Sequence, residues 1–311
     1  MVKILLVADL KGWIFERHCR EIKSRLSHKY ELDIVYSRPH GKKLDTISKK
    51  YDIVYALDPM PLRYPPKEKV LMGCRAEWLH GPGNEESFYL NGLSGGCKNI
   101  KDRCSVFHVV NKRQFELFKN VVTDKPFYLA QHGVNTSIFN EDKYTRNNDT
   151  ESIVVGTSGR RASNCKKGFD IVENTCKSLG VKFVTATYRG NKLTMEEMPS
   201  FYNRIDVYVC MSKTEGLCNP LMEAGAMGIP IISTRSGAAE EMIHDGEGGF
   251  LVERTESALK DALGKIQDPL LRRSMGDRMR KEVAENWSWD VRIRDYEIMF
   301  DKMIEVQNES K

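Results

Sequence analysis

The chain has 311 residues, of which 41% are hydrophobic and 29% charged, a balance that argues against a disordered or membrane-spanning protein. Its length exceeds that of a small binding module and suits two domains, each able to bury its own core. The formal net charge of +5 is uneven, because Lys and Arg outnumber Asp and Glu by 23 to 15 in residues 1–140 and are outnumbered by 28 to 25 in the rest.

The first part of the chain alternates strand and helix patterns. The apolar run from Ile4 to Ala8 predicts a buried first strand and is too short for a secretory h-region or a membrane span. The amphipathic stretch 14–26 predicts a helix, and 30–36 and 51–57 predict further strands. This order predicts a parallel sheet covered by helices on both faces.

A second series of strands follows the polar break at 147–149, and we place a domain boundary near residue 148. Apolar segments predict its strands at 152–156, 181–186, 206–210 and 228–234, with helices between most of them. The first domain is then 1–148 and the second 149–290. The stretch 291–311 has helical spacing, and we expect it to cross back to the first domain. A cleft between two such sheets is the expected ligand site, because ligands collect at the carboxyl ends of parallel strands.

Eight cysteines are scattered along the chain without a C-x-x-C pair. We therefore expect reduced thiols, no zinc site and a cytoplasmic protein.

The segment 205–223 combines features of a phosphate site. A strand runs into a loop with Glu215 and Gly216, and a helix is expected to begin at Asn219-Pro220, with Asn219 as the N-cap. The amides of the first helical turn and the positive end of the helix dipole suit a diphosphate. Gly216 lets the backbone approach a ligand closely.

Two carboxylates bracket this helix start. Glu215 lies in the loop before it and Glu223 one turn inside it. Carboxylates accept hydrogen bonds from sugar and ribose hydroxyls. Two glutamates at this spacing are common on charged surfaces, so the prediction of a ligand site depends on the residues around them.

Those residues resemble a known family. One sequence motif is similar to the donor-domain motif of retaining glycosyltransferase family 4. It is Glu215-Gly216-x-x-Asn219-Pro220-x-x-Glu223-Ala224, followed by 228–234 and 249–252. The resemblance implies a GT-B fold, which consists of two Rossmann-like doubly wound domains facing across a cleft. The second domain would then bind the nucleotide-sugar donor and the first the acceptor.

The resemblance continues at the start of the second domain, in Gly159-Arg160-Arg161 and Lys166-Lys167-Gly168. In the family, an Arg and the Lys of a Lys-Gly pair neutralise the donor diphosphate. Arg160 and Lys167 are the best matches. Arg161 and Lys166 stay open as alternatives, because two basic doublets leave the register unsettled.

The first domain matches the family less well. Where relatives have a double glycine after the first strand, this chain offers Gly12 alone for close approach to phosphates. His80 lies where some relatives have an active-site histidine, and a solvated loop histidine is the alternative. The segment 131–139 is similar to the family's interdomain segment.

What the resemblance implies is a retaining, hexosyltransferase-type enzyme that uses a UDP or GDP sugar and no metal or other cofactor. Glu215 would bind sugar hydroxyls and Glu223 the ribose, with Gly159, Leu217, Cys218 and Asn219 also lining the donor site. The departing phosphate would take the acceptor proton, so no side-chain base is required. The electrostatic stabilisation of that phosphate is the main catalytic effect we expect.

Other functions are weighed against this one. A nucleotide-sugar epimerase shares the architecture. A dehydrogenase is disfavoured, because no GxGxxG follows the first strand. The basic first half suits an anionic lipid surface, with peripheral location at the inner membrane, or nucleic acid. A non-catalytic nucleic-acid-binding protein is disfavoured by the absence of a known motif, but nucleic acid as the sugar acceptor stays open.

Overall fold

The computed structural model describes residues 1–37, 43–57, 65–74, 100–140, 153–159, 167–187 and 193–309. They form two compact units. Unit 1 is Met1–His132 with Arg292–Lys311, and unit 2 is Gly133–Val291.

Unit 1 contains a parallel sheet. In the described residues its strands run in the order β2-β1-β3-β4-β5-β6. They are β1 Lys3–Ala8, β2 Glu31–Tyr36, β3 Ile53–Ala56, β4 Val70–Cys74, β5 Val106–Val109 and β6 Phe127–Leu129. The described helices before unit 2 are α1 Ile14–Leu26, α2 Leu44–Ser48 and α3 Lys112–Phe118, with 3-10 turns at Lys67–Lys69 and Ile100–Arg103.

The pattern of α1 explains its place on the sheet. Cys19, Ile22 and Leu26 recur at helical spacing and are all buried. Strands β3, β4 and β5 are buried at every position, as expected for parallel strands covered on both faces.

Unit 2 contains a second parallel sheet, of order β11-β10-β9-β7-β8 in the described residues. Its strands are β7 Val154–Gly159, β8 Lys182–Thr187, β9 Val207–Cys210, β10 Ile231–Ser233 and β11 Gly249–Leu251. Its helices, as far as the structure describes the unit, are α4 Phe169–Leu179, α5 Met198–Tyr202, α6 Asn219–Ala226, α7 Ala239–Met242, α8 Glu256–Lys265 and α9 Pro269–Glu282. A π-helical turn, Val283–Trp287, leads into the last helix, α10 Trp289–Glu309.

The two sheets repeat one strand order. In each, the first strand lies between the second and the third, so the order reverses beside the first strand. This is the topology of doubly wound Rossmann-like folds, which bind ligands at the reversal point. The predicted fold class of two Rossmann-like domains is confirmed.

The division between the units falls after His132 rather than near residue 148. The predicted boundary itself lies in 141–152, outside the described residues. Residues 133–140 pack with unit 2 because Val134 pairs with the end of the π turn. Its N–H donates to the Trp287 carbonyl at 2.9 Å and its carbonyl accepts from the Trp289 N–H at 3.1 Å.

From Arg292 onward, α10 belongs to unit 1. Lys29, after α1, binds two of its carboxylates, Glu297 at 2.8 Å and Asp301 at 2.6 Å. The aromatic rings of Tyr55 and Phe300 pack edge to face, with centroids 5.7 Å apart. The residues of α10 from Arg292 onward thus complete unit 1, which also contains Met1–His132.

Among the described residues, no helix is both long and apolar enough to cross a membrane.

Candidate functional site

The topology of unit 2 brings two loops to one sheet edge. Strands β7 and β9 are hydrogen-bonded neighbours, and their carboxyl ends meet at the point where the strand order reverses. One loop follows β7, and the structure describes it again from Lys167. The other follows β9 and spans 211–218. A ligand site is expected where these loops meet.

Lys167 and Glu215 lie together in these loops. The Lys167 Nζ donates to Glu215 Oε1 at 2.5 Å, and the Ser212 hydroxyl donates to the same oxygen at 2.6 Å. The Glu215 side chain is 8% exposed and that of Lys167 is 26% exposed. The structure therefore joins two predicted site residues that are 48 positions apart.

The environment of Lys167 keeps its ammonium charged. Burial alone would lower the pKa of Lys167, but the charge and hydrogen bond of Glu215 outweigh burial and raise it. Lys167 is therefore a fixed positive charge at neutral pH, as an anion site requires.

The β9 loop is held in shape by donors from other elements. Three of its carbonyls, those of Met211, Ser212 and Gly216, accept from Arg254 Nε at 2.9 Å, Thr234 Oγ1 at 2.6 Å and the Ala238 N–H at 3.1 Å.

Two glycines make room for this loop. Gly168 and Gly237 have φ of +66° and +58°. A Cβ at Gly168 would lie 2.3 Å from the Met211 carbonyl oxygen, and one at Gly237 would lie 2.2 Å from that of Gly216. Neither position accommodates a side chain without moving the loop.

Helix α6 begins differently from the prediction. Asn219 is its first residue rather than the N-cap, and the capping position is Cys218, which has φ +58° and no side-chain cap. The chain enters the helix through a left-handed residue, so the Asn219 side chain is not placed to cap the helix. Pro220 lies in the first turn as expected.

Glu223 has a partner that the sequence did not reveal. The Tyr202 hydroxyl donates to Glu223 Oε2 at 2.7 Å, and both residues are buried. Burial and, next, the Glu223 charge raise the pKa of Tyr202. Tyr202 thus stays neutral and fixes one carboxylate oxygen.

The other residues predicted to line the sugar-donor site differ in the groups that they can present to a ligand. Leu217 and Cys218 are buried, so their contact with a donor would come from the backbone. Gly159 ends β7 with φ +128°, and no atom of the described residues lies within 4 Å of an added Cβ. Arg160, Arg161, Lys166 and His80 lie outside the described residues, and their roles stay predictions.

In unit 1, Gly12 follows β1 with φ +74°, and within the described part of the chain nothing lies within 4 Å of an added Cβ. Its N–H donates to the buried Glu16 carboxylate. Burial raises the pKa of Glu16, but hydrogen bonds from Tyr36, the Gly12 amide and Arg20 outweigh it and lower the pKa. A phosphate at Gly12 would compete with this carboxylate, and the predicted role of Gly12 stays a prediction.

Unit 1 also holds a histidine pair that the sequence did not indicate. The rings of His18 on α1 and His132 after β6 have centroids 3.9 Å apart, and both are buried. The two residues are far apart in sequence and share no motif.

Two of the cysteines that are scattered in the sequence meet at the β9 loop. Cys210 Sγ and Cys218 Sγ are 3.8 Å apart. With a Glu215 oxygen they form a group whose ligand atoms all lie within 4.8 Å of one another, a set that could hold a metal. Glu215 already binds the Lys167 ammonium, which occupies the place of a cation. A search for C-x-x-C misses the pair because eight positions separate the two cysteines.

The sequence of unit 2 matches a known family. Residues 136–268 match the profile described as Glycosyl transferases group 1. The GDP-mannose-dependent alpha-(1-6)-phosphatidylinositol monomannoside mannosyltransferase of Mycolicibacterium smegmatis is 31% identical over 132 residues, which are 40% of this chain and 34% of that protein. The capsular polysaccharide biosynthesis glycosyltransferase CapM of Staphylococcus aureus is 33% identical over 107 residues, 34% of this chain and 28% of CapM. The matches thus span about a third of each relative.

The fold of the whole chain is similar to solved structures. Anabaena HepE in complex with UDP and glucose has a TM-score of 0.75 at 12% identity, covering 97% of this chain and 100% of that one. Sucrose-phosphate synthase from Thermosynechococcus elongatus has a TM-score of 0.70 at 12% identity, covering 98% and 99%. The chain has the GT-B fold, and residues 136–268 match the group 1 glycosyl transferase profile.

Proposed function

We propose that this protein is a retaining glycosyltransferase of family 4, which transfers a sugar from a UDP or GDP sugar to an acceptor bound by unit 1. The observation that carries the proposal is the Lys167–Glu215 pair in the β9 loop region. It provides one cation for a diphosphate and one carboxylate for sugar hydroxyls, inside a segment that matches group 1 glycosyltransferases.

The pair suggests how the donor enters. Without a donor, Lys167 and Glu215 neutralise each other. The diphosphate competes for the Lys167 ammonium, with Arg160 or Arg161 as the second cation. Glu215 is then released to accept hydrogen bonds from the sugar, and Glu223 binds the ribose. The energetic cost of separating the pair is offset by the stronger charge of the diphosphate.

The transfer itself needs stabilisation of the departing diphosphate. Lys167 and the start of α6 supply it from fixed positions, which is often the largest single catalytic effect. The departing phosphate takes the acceptor proton, and retention follows from attack on the same face. His80 is a further candidate for contact with the acceptor. Metal independence is consistent with Lys167, whose ammonium does the charge neutralisation that a metal would do.

Two nucleotides, UDP and GDP, are candidates for the nucleotide part of the sugar donor. HepE was solved with UDP and glucose, whereas the mycobacterial relative is named for GDP-mannose. Its name also gives a phosphatidylinositol mannoside as acceptor. With the basic surplus of residues 1–140, this favours a cytoplasmic protein held peripherally at an anionic lipid surface over one that glycosylates nucleic acid.

The proposal is tested by nucleotide binding to the full chain and its variants. We expect UDP or GDP to raise the thermal midpoint, because only the folded state binds the ligand. Lys167→Met should weaken nucleotide binding by about 2 kcal/mol, the scale of a charge-assisted hydrogen bond. Glu215→Gln should retain nucleotide binding and lose turnover of the sugar nucleotide.

The matched control is Lys177→Met, an exposed lysine on α4, which should bind nucleotide as the unaltered protein does. Binding of neither nucleotide would overturn the proposal, and so would equal binding by the Lys167 and Lys177 variants. Incubation of the protein with a sugar nucleotide but no acceptor distinguishes the transferase from an epimerase, because an epimerase would release an epimerised sugar.

A further inference from the structure

Two buried thiols flank the loop that carries Glu215. Cys210 ends β9 and Cys218 stands at the start of α6. Their sulfurs are 3.8 Å apart, and the residues are 5% and 8% exposed. A disulfide needs the sulfurs to close to about 2.05 Å, a movement that side-chain rotations and a small backbone shift can supply.

We propose that Cys210 and Cys218 form a reversible disulfide on oxidation, and that this bond lowers the affinity of unit 2 for the donor nucleotide. The disulfide stands on the geometry of the two thiols alone, whereas its effect on affinity rests on the proposed function.

The surroundings give the two sulfurs different roles. The hydrogen bond with Cys218 lowers the pKa of Cys210 against the effect of burial, and Ser212 and the Lys167 charge act in the same direction. The same hydrogen bond, with burial, raises the pKa of Cys218. Cys210 is therefore the more acidic thiol of the pair, which suits an attacking cysteine, and Cys218 suits the resolving one.

Hydrogen peroxide is the oxidant class that fits a nearly buried pair, because it is small. Cys210 loses its proton and the thiolate attacks one peroxide oxygen, so that the O–O bond breaks and a sulfenic acid and hydroxide form. The hydroxide takes up the proton and becomes water. The Cys218 sulfur then attacks the sulfenic sulfur, its proton leaves with the hydroxyl group as water, and the disulfide forms. The two thiols lose two electrons and the peroxide is reduced to water.

The bond would act on the site through the loop. It ties the end of β9 to the start of α6 and closes a ring over 210–218, which contains Ser212 and Glu215. Since Ser212 and Lys167 both bind Glu215 Oε1, movement at either end of the loop changes the position of that carboxylate. The Lys167 ammonium favours this chemistry over a metal at the same group, because a divalent cation would have to displace it.

The chain offers a direct readout of the bond. Lys213 lies between the two cysteines, so trypsin separates them into peptides 205–213 and 214–235. After treatment of the full chain with hydrogen peroxide and alkylation of free thiols, we expect these two peptides to be linked and two hydrogens lighter. Nucleotide affinity should fall by about tenfold, the scale of coupling between sites. Dithiothreitol should restore it, which methionine oxidation would not allow.

Variants separate this bond from general oxidation. Cys210→Ser, with Cys210→Ala as a second variant if the first unfolds, should bind nucleotide and lose both the link and the peroxide sensitivity. Cys176→Ser is the matched control. Burial raises the pKa of this thiol on α4 to about 11, and its loss should leave both effects in place.

Absence of the linked peptides would overturn the proposal, and so would a linked protein that binds nucleotide as the reduced one does. If the reduced protein binds neither UDP nor GDP, the proposed function fails, and the linked peptides still decide whether the disulfide forms.

Discussion

At the scale of single residues, the site is built from pairs that are distant in sequence. The residue types around Glu215 and Lys167 indicate a donor site, but the sequence does not reveal that the two bind each other. Tyr202 was missed altogether, since it lies 21 positions before Glu223 in a segment without a motif. Contacts of this kind depend on strand order, which spacing in the sequence does not encode.

Tyr202→Phe tests the support of Glu223. The change removes the hydroxyl that binds a buried carboxylate, so we expect unfolding free energy to fall by about 1–3 kcal/mol and nucleotide affinity to fall as well. Denaturant unfolding and nucleotide titration measure the two effects.

The control for that change is Tyr51→Phe, which removes a hydroxyl bound to Asp33 in unit 1 at 2.9 Å. It should leave nucleotide affinity unchanged. Equal affinities of both variants would show that Glu223 does not depend on Tyr202 for its role.

At the scale of elements, helix α1 and strands β1 to β3 and β7 to β10 were predictable, whereas the other strands of unit 1 were not. The amphipathic pattern of α1 predicted its bounds correctly at 14–26. Strands β4, β5 and β6, of five, four and three residues, were not predicted, because their sequences show no clear alternation and they are stabilised by pairing with neighbouring strands. The helix start at α6 was predicted, but its cap was not, because a left-handed cysteine replaces the side-chain cap.

Gly237→Ala tests how far the β9 loop depends on close packing. The added Cβ would also lie 2.8 Å from Glu215 Cβ, so the loop must move. We expect nucleotide affinity to fall, together with a loss of stability of about 1–3 kcal/mol from the left-handed backbone. Thermal unfolding and nucleotide titration provide the measurements.

Gly180→Ala is the matched control, because Gly180 has φ +66° but no described residue within 4 Å of an added Cβ. It should lose stability and keep its affinity. A Gly237 variant that binds nucleotide normally would contradict a role for this packing in the site.

At the scale of the whole molecule, the two-domain architecture and the repeat of strand and helix were predictable from alternation alone. The boundary was not. Residues 133–140 look like a connection in the sequence, but their backbone pairs with Trp287 and Trp289 of unit 2.

The stability of unit 1 should depend on pH through His108, which is buried against Tyr55, with 3.3 Å between Nε2 and the hydroxyl. Burial lowers the pKa of His108 to about 4, below that of the unfolded chain. The contribution of neutral His108 to the free energy of unfolding is therefore complete above the pKa that histidine has in the unfolded chain. It is lost as the pH falls from that value toward 4. Between pH 7 and 5 we expect a loss of about 2 kcal/mol.

Denaturant unfolding at the two pH values measures this loss. His108→Gln should reduce the difference between them, whereas His28→Gln, at an exposed histidine, should leave it unchanged. An unchanged difference in the His108 variant would rule out this histidine as the cause.

The return of α10 to unit 1 has a consequence for synthesis. All of unit 2 lies in one continuous stretch that ends at Val291, whereas unit 1 needs residues from Arg292 onward. As the chain leaves the ribosome from its N-terminus, the unit that starts first is completed last. The partners of Lys29 and Tyr55, which are Asp301 and Phe300, are synthesised more than two hundred residues later, so unit 1 stays incomplete until unit 2 is made.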